Sequence, residues 1–227
     1  MIFTLKKTKQ EAPHTRSFIF TPPRPLRWQA GQYFHYTLPH AHPDDRGTER
    51  WFSISSAPHE KHVMVTTRFA DKSSSFKNAL KKLQPGDTIE ADGLGGDFLV
   101  DHRRKKFVFI AGGIGITPFR SMLLDLDHRR KPLNIQLLYA NRDQNFPYKK
   151  EFEALKQRHP EFRIDYLVSP RRLDEKSITG LVPDLKKQLV YVSGPEPMVE
   201  ALGKILKKLG LPKKHIKSDF FPGYGWP

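Results

Sequence analysis

The sequence predicts two architectures in series, an antiparallel β-barrel followed by a parallel sheet flanked by helices. Three features point there. The first hundred residues read as strand-like segments broken by Pro and Gly, with a single helical stretch among them. After Asp101, strand-like runs alternate with helical stretches, the rhythm of βαβ units. Between the two lies the basic stretch Asp-His-Arg-Arg-Lys-Lys at 101–106, the expected seam, which divides the chain into domains at 1–102 and 103–227. With 227 residues the chain can bury two small cores.

In the first half, strands are expected at 2–8, 15–20, 32–38, 51–55, 62–69 and 87–91, with a helix at 75–83 just before the last of them. These runs favour aromatic and β-branched residues, and turn-forming Pro, Gly and Asp punctuate them. Six short antiparallel strands with one face buried are the material of a small barrel, which removes the exposed edges of a sheet by closing it.

In the second half, strand-like runs at 107–111, 135–140, 162–168, 189–193 and 216–220 are separated by helical stretches. The helix at 195–209 puts Met198, Leu202, Ile205 and Leu209 on one face, a stripe that belongs to the core. The first run carries the most information. Phe107 to Ala111 is continuously apolar, as expected of a strand covered on both faces. It passes through Gly112, Gly113 and Gly115 into a helix whose first turn holds Pro118, where the missing N–H costs nothing. A strand that turns on glycines into a helix start offers backbone N–H groups to a phosphate, so nucleotide binding is the first hypothesis. Taken alone, the pattern is also a tight strand-to-helix turn, because Pro118 stands where the dinucleotide fingerprint has its third glycine.

Composition bounds the chemistry. The chain has no cysteine, which excludes disulfides, thiolate nucleophiles and a cysteine-ligated iron–sulfur cluster of its own. Redox chemistry here therefore needs an organic cofactor. The 39 Lys and Arg against 24 Asp and Glu give a formal charge of +15, which attracts anions: nucleotide phosphates, an acidic protein, nucleic acid or an anionic membrane. The sequence offers no nucleic-acid recognition motif. Runs of apolar residues fall short of the roughly 18 a membrane span needs, and the start Met-Ile-Phe-Thr-Leu-Lys-Lys lacks the long apolar core of a secretory signal. The expectation is a cytoplasmic protein. The ten histidines supply no tetrahedral donor set, and His40 and His42 read as solvated loop residues rather than metal ligands.

Within the barrel half, Arg50-Trp51-Phe52-Ser53 puts a cation, aromatic rings and a hydroxyl on one strand. A guanidinium matches a pyrophosphate, a ring stacks on a flavin or base, and a hydroxyl can bond a ring nitrogen. Alternation sets Arg50 and Phe52 on one face and Ser53 on the other, although a ligand crossing the strand end can meet all three.

The two halves together resemble the ferredoxin–NADP reductase superfamily nearly end to end. The resemblance rests on five ordered segments: Ser17-Phe18-Ile19-Phe20 with Leu26-x-Trp28-x-Ala30-Gly31-Gln32-Tyr33; Arg50 to Ser53; Ser74-Ser75-Phe76-Lys77 ahead of Pro85-Gly86-Asp87; Gly112 to Pro118; and Gly194-Pro195-Glu196-Pro197-Met198. It implies a six-stranded Greek-key barrel holding FAD and a Rossmann-like domain holding NADPH or NADH. By that resemblance Arg50 binds the FAD diphosphate, Phe52 packs on the isoalloxazine, Ser53 hydrogen-bonds near N5, where hydride arrives, and Trp51 between them counts among the cofactor-binding residues. Ser74, Ser75 and Lys77 complete the diphosphate site, and one of these serines is also a candidate helix N-cap. Gly112, Gly113, Gly115, Thr117, Gly194, Pro195 and Met198 line the path of the nicotinamide dinucleotide.

Three departures matter. Ser193 stands where many members have cysteine, and Asp219 replaces the usual glutamate of the last strand. These two join Ser53 as the residues expected nearest the reaction. The tail 219–227 ends in an aromatic cluster, of which Phe221, Tyr224 or Trp226 either covers the flavin as a movable lid or pins the terminus to the barrel. Arg142 lies where a ribose 2′-phosphate would be held and favours NADPH, while the neighbouring Asp143 suits the free hydroxyl of NADH. The implied activity is FAD-dependent NAD(P)H oxidation with electrons passed to an acidic one-electron carrier such as ferredoxin or flavodoxin. A flavin reductase using free flavin and a flavoprotein subunit of a multicomponent oxygenase are the alternatives.

Overall fold

A computed structural model describes residues 1–104 and 106–221. The chain forms two compact units, one of Met1–Leu99 with Arg120–Asp125, the other of Val100–Phe119 and the chain from Leu126 on.

The first unit holds strands β1 (Ile2–Ala12), β2 (Thr15–Thr21), β3 (Tyr33–Thr37), β4 (Glu49–Ser53), β5 (Val63–Arg68) and β6 (Thr88–Gly95), with helix α1 (Ser75–Lys82) between β5 and β6. Their order in the sheet is β4-β3-β6-β1-β2-β5, and every pairing is antiparallel. β6 returns to lie between β1 and β3, which gives the Greek-key connectivity. The two ends of the sheet meet where Ser55, just past β4, donates its N–H to the Met64 carbonyl of β5 at 2.8 Å. β1 runs four residues beyond its expected end because the hairpin with β2 continues through two register shifts. Its polar stretch 6–11 carries no apolar alternation, so pairing rather than burial extends it.

Alternation along β3 sends Phe34 and Tyr36 inward to join Phe3, Phe18, Phe20, Phe76 and Ile89 in the core. The rings of Phe3 and Phe34 meet edge to face at 5.3 Å, the arrangement aromatic quadrupoles favour.

The second unit holds β7 (Phe107–Gly112), β8 (Ile135–Asn141), β9 (Arg163–Val168), β10 (Leu189–Pro195) and β11 (Ile216–Phe221), all parallel, in the order β11-β10-β7-β8-β9. Helices α2 (Ile116–His128), α3 (Lys149–Arg158), α4 (Glu175–Leu181) and α5 (Glu196–Lys208) connect them. The chain enters at the central strand, builds outward through β8 and β9, then crosses to build β10 and β11 on the other side. The order thus reverses between β7 and β10, the place where open α/β sheets bind ligands at the carboxyl ends of their strands. On α5 the buried stripe is Met198, Val199, Leu202 and Leu206. Ile205 and Leu209 only border it, because the stripe is rotated toward 199 and 206 and Leu209 lies past the helix end. Among the described residues, no helix is long and apolar enough to cross a membrane.

Arg120 is a buried cation in the otherwise apolar middle of α2. Within the first unit its Nη1 donates to the Ser55 carbonyl at 2.8 Å, and the guanidinium bridges both Glu60 oxygens at 2.9 and 3.2 Å. Ser121 Oγ donates to the Ser56 carbonyl at 2.7 Å, and Glu60 also accepts the Ala57 N–H. Burial pushes the Glu60 carboxyl upward, but the hydrogen bond and charge of Arg120, the Ala57 N–H and the charge of His62 outweigh it and hold the group below 4.5. A carboxyl depressed in the folded state contributes stability above its unfolded pKa, and that contribution disappears as pH falls through the folded value. Glu60→Gln is therefore expected to lower the melting temperature most above pH 4.5. The gap to the parent should close on acidification, as followed by circular dichroism melts from pH 7 to pH 3; a gap independent of pH would contradict the assignment.

Candidate functional site

The first unit builds an oxyanion cradle at the start of α1. β4 pairs with β3 so that Arg50 stands opposite Tyr36 and Phe52 opposite Phe34, which puts both on the inner face. Arg50 is 6% exposed and lies 5.6 Å over the Phe76 ring. Its Nη1 donates to three carbonyls, those of Arg46, Gly47 and Glu49 at 2.6, 3.1 and 2.6 Å. Its Nη2 donates to Asp44 Oδ1 at 2.7 Å. The other oxygen of Asp44 accepts the backbone N–H of Ser75, the first residue of α1, at 2.8 Å. Burial raises the Asp44 carboxyl, but hydrogen bonds from Ser75, Arg50 and Arg46 overcome it and hold the carboxyl far below the usual carboxylate range.

The serines divide the work. Ser74 is the N-cap of α1, accepting the Lys77 N–H at 3.3 Å. Ser75 Oγ accepts the Asp44 N–H and shares a hydrogen bond with His40 Nε2, each at 2.9 Å. His40 is thus not the solvated loop residue expected from the sequence. It is half-buried, tied through Nδ1 to the Leu38 carbonyl, because the loop between β3 and β4 folds back over α1. Lys77 Nζ donates to the Arg68 carbonyl at 3.0 Å. Phe52 is half-buried, its ring 5.8 Å from Phe76. Trp51 faces the opposite side of β4, 56% exposed, against Tyr33 and His35, so the structure does not bring it to the cradle. Ser53 is buried at the end of β4.

These groups fit a diphosphate: a guanidinium and a helix-start N–H already hold the two oxygens of a carboxylate. Arg50, Ser75 and the half-buried face of Phe52 are the residues that would hold an FAD.

In the second unit, β7 ends at Gly112 and a single tight turn, Gly113–Gly115, leads into α2. Gly115 lies so close to the Ser193 carbonyl that any Cβ there would overlap it. That approach sets the turn after β7 directly beside Gly194 and Pro195 at the end of β10. Met198 fills the space next to Gly112 and Gly194, which makes it a support for the turn. Thr117 is buried, its Oγ1 donating to the Ile114 carbonyl at 3.1 Å. The helix start and the glycine backbone fit the phosphates of a dinucleotide.

Ser193 and Asp219 stand opposite each other in the β10–β11 register, with Phe221 paired to Pro195 two residues on. Ser193 Oγ is fully buried and has no hydrogen-bond partner among the described residues. A buried hydroxyl of this kind can donate to or accept from a bound ligand. Arg142 is exposed just past β8. Asp143, its rival for the ribose, is engaged by the Asn145 N–H at 2.8 Å and the Asn141 amide at 3.5 Å. Tyr224 and Trp226 lie outside the described residues.

Sequence reasoning missed Asp44, Arg120 and Glu60. A lone cation in the apolar run of α2 is a usable signal for Arg120, since arginine is almost never buried unpaired. Asp44 has none, because it sits in a polar loop beside a second aspartate.

Residues 109–204 match the model of the oxidoreductase NAD-binding domain. The reductase component of a phenol 2-monooxygenase from Pseudomonas sp. (strain CF600) is 33% identical over 192 residues, covering 78% of this chain and 53% of the relative. A flavohemoprotein from Burkholderia sp. (strain TH2) is 24% identical over 234 residues, 96% of this chain and 58% of its own length. The chain thus spans little more than half of these relatives. Among solved structures, the FAD/NAD-binding domain of a nitric oxide dioxygenase from Vibrio cholerae O1 biovar El Tor superposes with a TM-score of 0.84 at 20% identity, covering 97% of this chain and 98% of that one. Ferredoxin–NADP+ reductase from Plasmodium falciparum gives 0.80 at 18% identity, covering 97% and 95%. Residues 109–204 thus match the oxidoreductase NAD-binding domain family, and the chain shares the fold of the FAD/NAD-binding domain and the ferredoxin–NADP+ reductase structures.

Proposed function

We propose that the chain is a cytoplasmic FAD-dependent NAD(P)H oxidoreductase, with residues 1–102 binding the flavin and 103–227 the nicotinamide coenzyme. The observation that carries this is the coexistence of two phosphate-type cradles, Arg50 with the start of α1 in one unit and the glycine turn after β7 in the other. The chemistry supplied by a bound flavin is hydride acceptance from a dihydronicotinamide and release of the electrons one at a time.

The protein's part is binding, orientation and exclusion of water. Arg50 and Ser75 fix the diphosphate. Phe52 supplies an apolar wall for the ring system, and Ser53 a hydroxyl at the end of β4. Gly113, Gly115 and Thr117 guide the coenzyme along the switch point, and Ser193 with Asp219 faces the nicotinamide end. Arg142 selects the 2′-phosphate of NADPH, and Asp143 has one carboxylate oxygen engaged in its own turn.

For the electron acceptor, the charge of +15 favours an acidic carrier protein. Relatives whose names make them reductase components of a phenol 2-monooxygenase and a glycine betaine monooxygenase favour a second reading, delivery to a partner oxygenase.

Two experiments follow. Steady-state NADPH oxidation with ferricyanide as acceptor should vanish when FAD is stripped and return when it is added back; turnover indifferent to FAD would refute the proposal. Arg142→Ala should raise KM for NADPH about 10-fold or more, the equivalent of one charge-assisted hydrogen bond, and leave KM for NADH within about twofold. Equal effects on both coenzymes would remove Arg142 from the phosphate site.

A further inference from the structure

Asp44 stands in the place a ligand anion needs. One of its oxygens takes Nη2 of Arg50 and the other takes the first N–H of α1, so a single carboxylate uses both donors of the cradle. A diphosphate oxygen can bind those donors only after Asp44 releases them, and the aspartate charge opposes an incoming anion.

The release is local. Asp44 belongs to the loop between β3 and β4, whose base is closed by the Leu38 N–H on the Thr48 carbonyl at 3.0 Å. Residues 41–43, 45 and 46 of that loop are exposed, and the Asp44 side chain itself is 26% exposed. Swinging the side chain out gives up the Arg46 N–H, 3.0 Å from Oδ1, along with the two cradle donors, and Asp44 is not a member of the apolar core. Arg50 would stay in place, because Nη1 keeps its three carbonyls. Its Nε is buried and has no hydrogen-bond partner among the described residues.

We infer that Asp44 is a specificity-determining residue that competes with the flavin diphosphate for the cradle, which makes FAD an exchangeable ligand and narrows its advantage over riboflavin. The inference rests on the flavin reading above. Riboflavin has no phosphate and leaves Asp44 undisturbed, whereas FAD must displace it.

The test is equilibrium titration of the flavin-stripped full chain with FAD and, separately, riboflavin, followed by quenching of flavin fluorescence. Asp44→Ala should bind FAD about 10-fold tighter with riboflavin affinity within about twofold of the parent. Asp44→Asn, which keeps the shape and loses the charge, should show a smaller gain. Should the alanine variant fail to fold by circular dichroism, the asparagine variant decides alone. FAD affinity unchanged or weakened in a folded variant that still binds riboflavin overturns the inference and makes Asp44 an organiser of Arg50. Equal tightening of both flavins also overturns it, since the effect would then lie away from the diphosphate. If parent and variants bind neither flavin, the flavin reading falls and the inference with it.

Discussion

Gly115 rests against the Ser193 carbonyl at a distance no side chain could tolerate, and the second unit is arranged around that backbone contact. It requires β7 and β10 to be neighbours, which the parallel order of the five strands provides. It requires the turn after β7 to carry glycine where it meets β10. It then places the start of α2, the end of β10 and the Ser193–Asp219 pair at one sheet edge. The absence of a Cβ is thus what lets two strand ends and a helix start share one surface.

The cradle of the first unit depends on charge rather than on close packing. Burying a guanidinium is costly unless its donors are satisfied. Arg50 meets that requirement at both Nη atoms, with the carbonyls of Arg46, Gly47 and Glu49 and the Asp44 carboxylate. The three carbonyls fix its position, while the carboxylate on an exposed loop is the replaceable partner. Preorganisation and competition are two consequences of one arrangement.

Most of the fold was legible because its signals are local. The continuous apolar run of β7 reads as a strand buried on both faces, and Phe34 and Tyr36 in β3 read as alternate inward positions. The glycines at 112, 113 and 115 were legible because glycine is chemically distinct. The site was legible in part. Arg50, Phe52 and Ser75 come together around the start of α1, while Trp51 faces the other side of β4, because a strand sends neighbours to opposite faces. Asp44 was invisible because its partner Ser75 is 31 residues away. Glu60 was hidden likewise, meeting Arg120 across 60 residues. Long-range pairs of charged and polar groups leave no periodicity to read.

Hydride transfer from a nicotinamide coenzyme to a flavin on this chain can be followed by anaerobic stopped-flow mixing of the FAD-reconstituted protein with one equivalent of NADPH. The oxidised flavin absorbance should be lost in a single turnover. Flavin absorbance that persists with NADPH and with NADH alike, on protein that retains FAD, would contradict it.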